Sequence, residues 1–265
     1  MSTSKLIAMR SLWTGTIGFG LVNIPVKLYS ATQQSDLDLD MLDKKDHSNI
    51  RFKRVNEKTG KEVPYANIVK AYNYDGKYVV LDDEDFKKAS PEKTKMIEIS
   101  EFVNEEDVDS IYFETPYFLE PQKSGEKAYI LLREALKKSG KLGLSTFVLR
   151  SKESLALLKP LGDTLLLQKI RFQEEIRDYT ELKIPKHTVK PTELKMAINL
   201  IEQLTAEFDI SRYKDNYSKE LMKLIAAKAK GKKLKVPEMK VVHSRSADLM
   251  EQLKSSLETK KKKAS

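Results

Sequence analysis

The chain has no cysteine, one tryptophan and only three histidines among 265 residues. Without cysteine it can form neither a disulfide nor a thiolate metal site, and a reducing compartment such as the cytoplasm suits it. His47, His187 and His243 lie far apart and lack ligand spacing, so no metal is expected. No uncharged apolar run approaches the roughly 20 residues that span a bilayer, and no membrane partner is expected. Met1 to Arg10 lacks the continuous apolar stretch of a signal peptide. Gly15, Gly18 and Gly20 have the wrong spacing for a phosphate loop, and no Gly-Lys-Ser/Thr follows them. They read instead as close backbone packing at a barrel corner. No Ser–His–Asp or Cys–His arrangement is suggested locally, so the sequence offers no catalytic residue and implies no cofactor. No internal repeat is evident.

What the chain does have is charge, unevenly placed. The formal net charge is +9. Counted by segment, Lys228 to Ser265 carries +8 and the rest of the chain only +1. Within that rest, Lys44 to Lys61 carries +5, from Lys44, Lys45, Arg51, Lys53, Arg54, Lys58 and Lys61 against Asp46 and Glu57. Asp82 to Glu120 carries −9. A basic segment beside an acidic one predicts a surface with two different faces. The carboxylates Asp82, Asp83, Glu84 and Asp85, and Glu105, Glu106 and Asp107, occur as runs rather than spaced ligands, as an exposed acidic face would. The run Lys260 to Lys263 reads either as a solubilising end or as a polyanion contact.

Period-two apolar patterning predicts strand from Leu12 to Tyr29 in two registers, Trp13, Ile17, Phe19 and Leu21, then Val22, Ile24, Val26 and Leu28. A bulge or bend near Leu21 to Asn23 would reconcile them. Pro25 agrees with an edge or interrupted ladder. Further strands are expected at Tyr78 to Leu81, Met96 to Phe102, Ile111 to Leu119, Leu144 to Arg150, Ser154 to Leu158 and Thr164 to Phe172. One helix is expected between a Ser124 cap and Gly140, with Tyr129, Leu132, Ala135 and Leu136 on one face. Many short strands with one inserted helix predict an α+β, mainly β chain built on a barrel. Beyond Pro191 helical patterning takes over: Leu194, Ala197, Ile198, Ile201, Leu204 and Phe208, then Leu221, Leu224 and Ile225. Residues 231–265 are Lys-rich and weakly patterned.

The run SLWTGTIGFGLVNIPVKLYS from Ser11 to Ser30 resembles the opening strands of bacterial Ku proteins. So does FKRVNEKTGK from Phe52 to Lys61, followed by Ile68-Val69-Lys70 and Tyr78-Val79-Val80. Glu101-Phe102-Val103, Asp109 to Tyr112, Pro116-Tyr117 and Lys127-Ala128-Tyr129 are similar too. Leu194 to Ala197, Leu200-Ile201, Tyr213 and Leu221 match the family's helical C-terminal segment. The resemblance runs from about Arg10 to Gly231.

It implies a Ku-type β-barrel over residues 1–190 with a long DNA-encircling bridge extension at about 44–80, a helical segment at 191–230 and a basic tail at 231–265. It further implies a cytoplasmic, nucleoid-associated homodimeric ring that captures double-stranded DNA ends without reading sequence. The ring would recruit and stimulate an ATP-dependent DNA ligase in non-homologous end joining. Lys44, Lys45, Arg51, Lys53, Arg54, Lys58, Lys61 and Lys70 would meet phosphates on the bridge, with Lys260, Lys261, Lys262 and Lys263 contributing from the tail. Two antiparallel arms of about eighteen residues would each reach roughly 60 Å, ample beside duplex grooves on the order of 10 Å wide. The acidic stretch from Asp82 would lie away from DNA. Leu194, Ile198, Ile201, Leu221, Leu224 and Ile225 would contact the ligase, the second protomer, or both. The alternative is a DNA-end-processing nuclease or abasic-site lyase. An RNA-binding or general chromatin role lacks the usual aromatic stacking motif.

Overall fold

The computed structural model describes residues 9–33, 36–89, 95–150 and 152–232. The chain divides into two compact units, the first holding Asp38–Asp178 with the N-terminal stretch and the second holding the residues from Tyr179 onward.

Strands β1 (Trp13–Phe19) and β2 (Val22–Ser30) form an antiparallel hairpin that turns at Gly20 and Leu21. The bend expected near Leu21 to Asn23 is therefore a full reversal. This explains the change of apolar parity. Ile17 stands opposite Ile24, Gly15 opposite Val26 and Trp13 opposite Leu28. Directly opposed residues share a face, so odd positions of β1 and even positions of β2 bury together. Ile17, Ile24, Val26 and Leu28 are all 0% exposed. Gly20 permits the turn at φ +57°.

An outlying hairpin next in sequence supplies β3 (Lys70–Tyr74) and β4 (Lys77–Leu81), and helix α1 (Asp83–Ala89) follows it within the acidic run. The remaining barrel strands are β5 (Met96–Asn104), β6 (Phe113–Pro121), β7 (Lys141–Leu149), β8 (Lys152–Leu161) and β9 (Thr164–Ile170). The barrel closes in the order β1-β2-β6-β9-β8-β7-β5. Its closing seam is parallel, Thr16–Gly18 of β1 against Met96–Glu98 of β5. Two of the glycines lie at close approaches on this seam, Gly15 against backbone and Gly18 against a flexible side chain. A Cβ on Gly15 would lie 2.2 Å from the Lys95 carbonyl oxygen, and one on Gly18 2.8 Å from the Met96 sulfur. Pro25 lies just before the β2–β6 ladder, which begins at Val26, so its missing N–H leaves no gap in it.

Helix α2 (Glu126–Ser139) joins β6 to β7 and seals one end of the barrel. Its Tyr129, Leu132 and Leu136 join the core formed with Ile17, Leu119, Phe147, Leu158 and Leu167. The Tyr129 hydroxyl donates to the Leu119 carbonyl at 2.6 Å and accepts from the Leu165 amide at 2.6 Å. Losing that hydroxyl would strand a buried N–H at a cost of about 1–3 kcal/mol. The N-cap of α2 is Gly125, one residue past the Ser124 expected from sequence. Close packing decides this: a Cβ at 125 would meet Pro25 Cδ at 2.8 Å. Gly140 ends α2 in the left-handed region, its amide donating to the Leu136 carbonyl. A second cluster, Leu142, Leu157 and Ile170 with Val103, Val108 and Tyr112, covers the outer side of β7 and β8.

The second unit contains α3 (Pro191–Leu204) and α4 (Asn216–Ala229). α3 stops before Phe208, which lies outside the helix. α4 is capped by Asp215, whose carboxylate accepts from the Ser218 amide at 3.1 Å. Among the described residues no helix is long and apolar enough to cross a membrane.

Candidate nucleic-acid interface

Between β2 and α1 the chain leaves the barrel for an exposed extension, residues 38–81. Its first half is two copies of one turn. In the first, Asp43 N donates to Ser48 O, His47 N to Asp43 O, and Ile50 N to Met41 O. Thirteen residues on, Asn56 N donates to Lys61 O, Gly60 N to Asn56 O, and Val63 N to Arg54 O. The side-chain bonds repeat as well: Asp43 accepts from Lys45 N at 2.7 Å and Asn56 from Lys58 N at 3.0 Å. Each copy closes on one bridge, Leu42 to Asn49 and Val55 to Glu62. The second half is the hairpin β3–β4, turning at Asp75 and Gly76, both at positive φ. The pairings in the extension are thus local to three successive reversals. None of these pairings joins two long arms; each turn closes on its own neighbours.

The turns follow from residue chemistry. Asp and Asn side chains bond the backbone two residues on and initiate such turns. The left-handed position is filled by Gly60 in one copy and by His47 in the other. His47, a histidine without ligand spacing, has this conformational role. The repeat escapes a search by residue identity, since across ten aligned positions only Lys45 and Lys58 match and the rest conserves hydrogen-bonding type. Asp75-Gly76 is a strong hairpin signal, and it would have located β3.

All eight basic residues singled out in the extension are exposed. Lys44 and Lys45 lie in the first turn, Lys58 in the second, and Lys61 follows it; Arg51, Lys53 and Arg54 lie on the stretch joining the two. They are spread along the extension, and three are engaged. Lys53 Nζ lies 2.7 Å from Glu62. The Arg54 guanidinium stands 5.1 Å over the Tyr65 ring, and Lys70 Nζ 4.9 Å over Phe86. No ion pair is recorded among the described residues for Lys44, Lys45, Arg51, Lys58 or Lys61. Lys77, not singled out from sequence, shares a hairpin face with Lys70 by register. Asp46, the second acid of the first turn after Asp43, accepts from the Ser48 amide at 2.9 Å. That bond holds its carboxyl below the usual carboxylate range.

The acidic run takes a structural part. Asp82 Oδ1 accepts from the Glu84 and Asp85 amides at 2.8 and 2.9 Å, capping α1. α1 follows β4 directly, and its Phe86 packs under Lys70, so the acidic run begins beside the last of the eight basic residues. Among the described residues no group of three or more His, Asp or Glu side chains is placed to hold a metal ion. Lys260 to Lys263 lie outside the described residues.

On the two C-terminal helices, Leu194, Ile198 and Ile201 of α3 are 52, 44 and 64% exposed. On α4, Leu221 and Leu224 are half-buried and Ile225 is exposed. Each helix keeps an apolar stripe without full cover.

Residues 18–196 match the family described as the Ku70/Ku80 beta-barrel domain. A protein of Coxiella burnetii is 39% identical over 265 aligned residues, covering 97% of each chain. One of Pseudomonas aeruginosa is 40% identical, over 91% of this chain and 85% of its own. One of Bacillus subtilis is 41% identical, over 87% of this chain and 75% of its own. All three carry the name non-homologous end joining protein Ku. With a closed barrel of seven strands, an exposed basic extension and these relatives, the chain belongs to the Ku family.

Proposed function

We propose that this chain binds ends of double-stranded DNA without reading sequence, as a ring-shaped homodimer of the cytoplasm and nucleoid. In this reading it recruits and stimulates an ATP-dependent DNA ligase in non-homologous end joining, and it performs no chemistry itself. The observation that carries the reading is the extension: eight basic side chains, all exposed, on a segment held outside the barrel by its own turns. Such side chains meet phosphates and release counterions, which gives binding that is strong at low salt and indifferent to bases. The hairpin β3–β4 supports a dimer. A lone two-stranded hairpin is marginal in water, yet Tyr78 and Val80 remain exposed on its face opposite Lys70 and Lys77. A second protomer would cover them. The tail from Gly231 adds long-range attraction, and deleting it is expected to lower the salt dependence of binding.

The ring is tested by its need for a free end. Linear duplex is expected to outcompete the same sequence as a covalently closed circle at physiological salt, with no metal or nucleotide added. Equal competition by circle and linear DNA would remove the ring.

A further inference from the structure

The turn that follows β7 lies at the end of the barrel away from α2, because α2 leads into the start of that strand. A pocket of about 170 Å³ there is lined by Leu12, Tyr117, Leu149, Arg150, Lys152, Ser154 and Lys169. That is room for a small anion and a few waters, each water taking about 30 Å³. The lining holds three cations and no carboxylate. Two of the cations come from inward-facing positions. Along β8, Ser154, Ala156 and Leu158 point inward, so Lys152 shares their face. Along β9, Leu165 and Leu167 do the same, so Lys169 follows them inward. Lys169 is the more enclosed of the two, its side chain 22% exposed against 72% for Lys152 at the open rim. Ser154 and Tyr117, both buried, bring hydroxyl groups.

Arg150 is the third cation, and its backbone singles it out. Three barrel hairpins close tightly, Phe19 pairing with Val22, Leu149 with Lys152 and Leu161 with Thr164. The residue that opens each turn, Gly20, Arg150 or Gly162, lies in the left-handed region, at φ +57°, +54° and +56°. Glycine fills that place twice, as sterics favour. Arginine fills it only at the basic mouth, against its own backbone preference.

The charges facing the pocket are partly answered. Lys169 pairs with Glu114 at 2.9 Å, and Lys152 with Glu175 at 3.8 Å. No ion pair is recorded for Arg150 among the described residues. A planar guanidinium flanked by two ammonium groups suits a tetrahedral oxyanion.

We propose that this mouth is a phosphate-binding pocket, in which Arg150, Lys152 and Lys169 hold one phosphate group. The source is either the terminal 5′-phosphate of a DNA end or free inorganic phosphate. Only the first of these rests on the DNA-end reading above.

The test uses the full chain and Arg150→Gly. Glycine suits φ +54°, so this variant is expected to unfold at an equal or higher temperature than the parent. Inorganic phosphate is titrated calorimetrically at constant ionic strength, with chloride as the control. The parent is expected to bind phosphate, and Arg150→Gly about tenfold more weakly, the loss of one charge-assisted hydrogen bond. A parent that gives no phosphate heat, or a variant that binds as the parent does, overturns the pocket. A second arm compares linear duplexes ending in 5′-phosphate and in 5′-hydroxyl. A preference for phosphate that disappears in Arg150→Gly assigns the pocket to DNA ends. Equal binding of the two duplexes, with inorganic phosphate still bound, assigns it to the free ion. Failure of the DNA-end reading would instead appear as equal binding of linear and closed circular DNA, whatever the phosphate titration gives.

Discussion

Gly60 repeats the backbone of His47 thirteen residues later: φ is +65° at one and +58° at the other, and each amide donates to an Asx carbonyl, Asn56 or Asp43. The two turns present lysines at matching places, Lys45 and Lys58, each amide held by the Asx side chain. The extension is therefore a short array of self-closed turns that needs little core to keep its shape.

This relationship predicts an asymmetry. A β-branched residue in the left-handed region costs about 1–2 kcal/mol. Gly60→Val is expected to open the second turn, while His47→Gly leaves the first intact. Hydrogen exchange reads each turn separately. The Val63 amide, bonded to the Arg54 carbonyl at 2.8 Å, should exchange about tenfold faster in Gly60→Val, with barrel amides such as that of Leu165 unchanged. An unaltered Val63 rate would mean the turn is held by something else.

Much of the barrel was legible because its strands obey period two and two of its tight turns carry glycine. The bend read at Leu21 to Asn23 came from treating Leu12 to Tyr29 as one strand; the parity change was the hairpin itself, with Ile17 facing Ile24. The Ser124 cap was displaced by a tertiary contact, Gly125 against Pro25, which no local pattern contains. In the extension the basic residues were legible as composition. The turn at Asn56 to Gly60 was legible too, in its Asn and Gly, but its counterpart at Asp43 to His47 was not, because the two share hydrogen-bonding roles and not the residues that carry them. Helix α1 was hidden inside a charge run, where Asp82 to Asp85 read as an acidic face before they read as a cap and first turn.

The basic residues of the extension are expected to differ in weight. Lys58 has no recorded ion pair among the described residues, whereas Lys53 lies 2.7 Å from Glu62. A phosphate must compete with that carboxylate for Lys53. Lys58→Ala should therefore reduce the slope of log affinity against log salt by about 0.9 for each phosphate that is no longer neutralised. Lys53→Ala should reduce it less, and Lys53→Ala combined with Glu62→Ala no more than Lys53→Ala alone. Fluorescence anisotropy on one linear duplex over a salt series measures all three. Equal slopes for parent and Lys58→Ala would take the second turn off the DNA.

A pH effect is expected at the β2–β6 seam. The Tyr29 hydroxyl donates to Glu120 at 2.5 Å, and this bond, with smaller effects of burial and the carboxylate charge, raises the tyrosine above its usual pKa. The folded state thus favours protonated Tyr29. Its contribution is fully present below the ordinary tyrosine value near 10 and is lost as pH rises through the raised value. Tyr29→Phe should flatten the alkaline fall in unfolding temperature and leave the neutral-to-acid limb in place. An ultraviolet titration showing Tyr29 ionising at or below the ordinary value would contradict this.

The last prediction concerns α3 and α4. Leu194, Ile198 and Ile201 line one side of α3 and remain about half exposed, and Leu221, Leu224 and Ile225 give α4 a similar stripe. So short a helical pair has too little core to stand alone, so each stripe is expected to find cover. The cover is either the second protomer or the ligase. Ile198→Asp and Leu224→Asp separate these, because a carboxylate forced into apolar contact is costly unless the contact opens. If the stripes embrace the second protomer, sedimentation should show monomers, and DNA-end binding should fall with them. If they dock the ligase, dimer and end binding should survive while stimulation of ligation is lost. We favour the ligase, since Tyr78 and Val80, on the β3–β4 hairpin face opposite Lys70, already offer the second protomer an apolar face. A double variant that dimerises, binds ends and stimulates the ligase as the parent does would leave both stripes without a partner and reject both assignments.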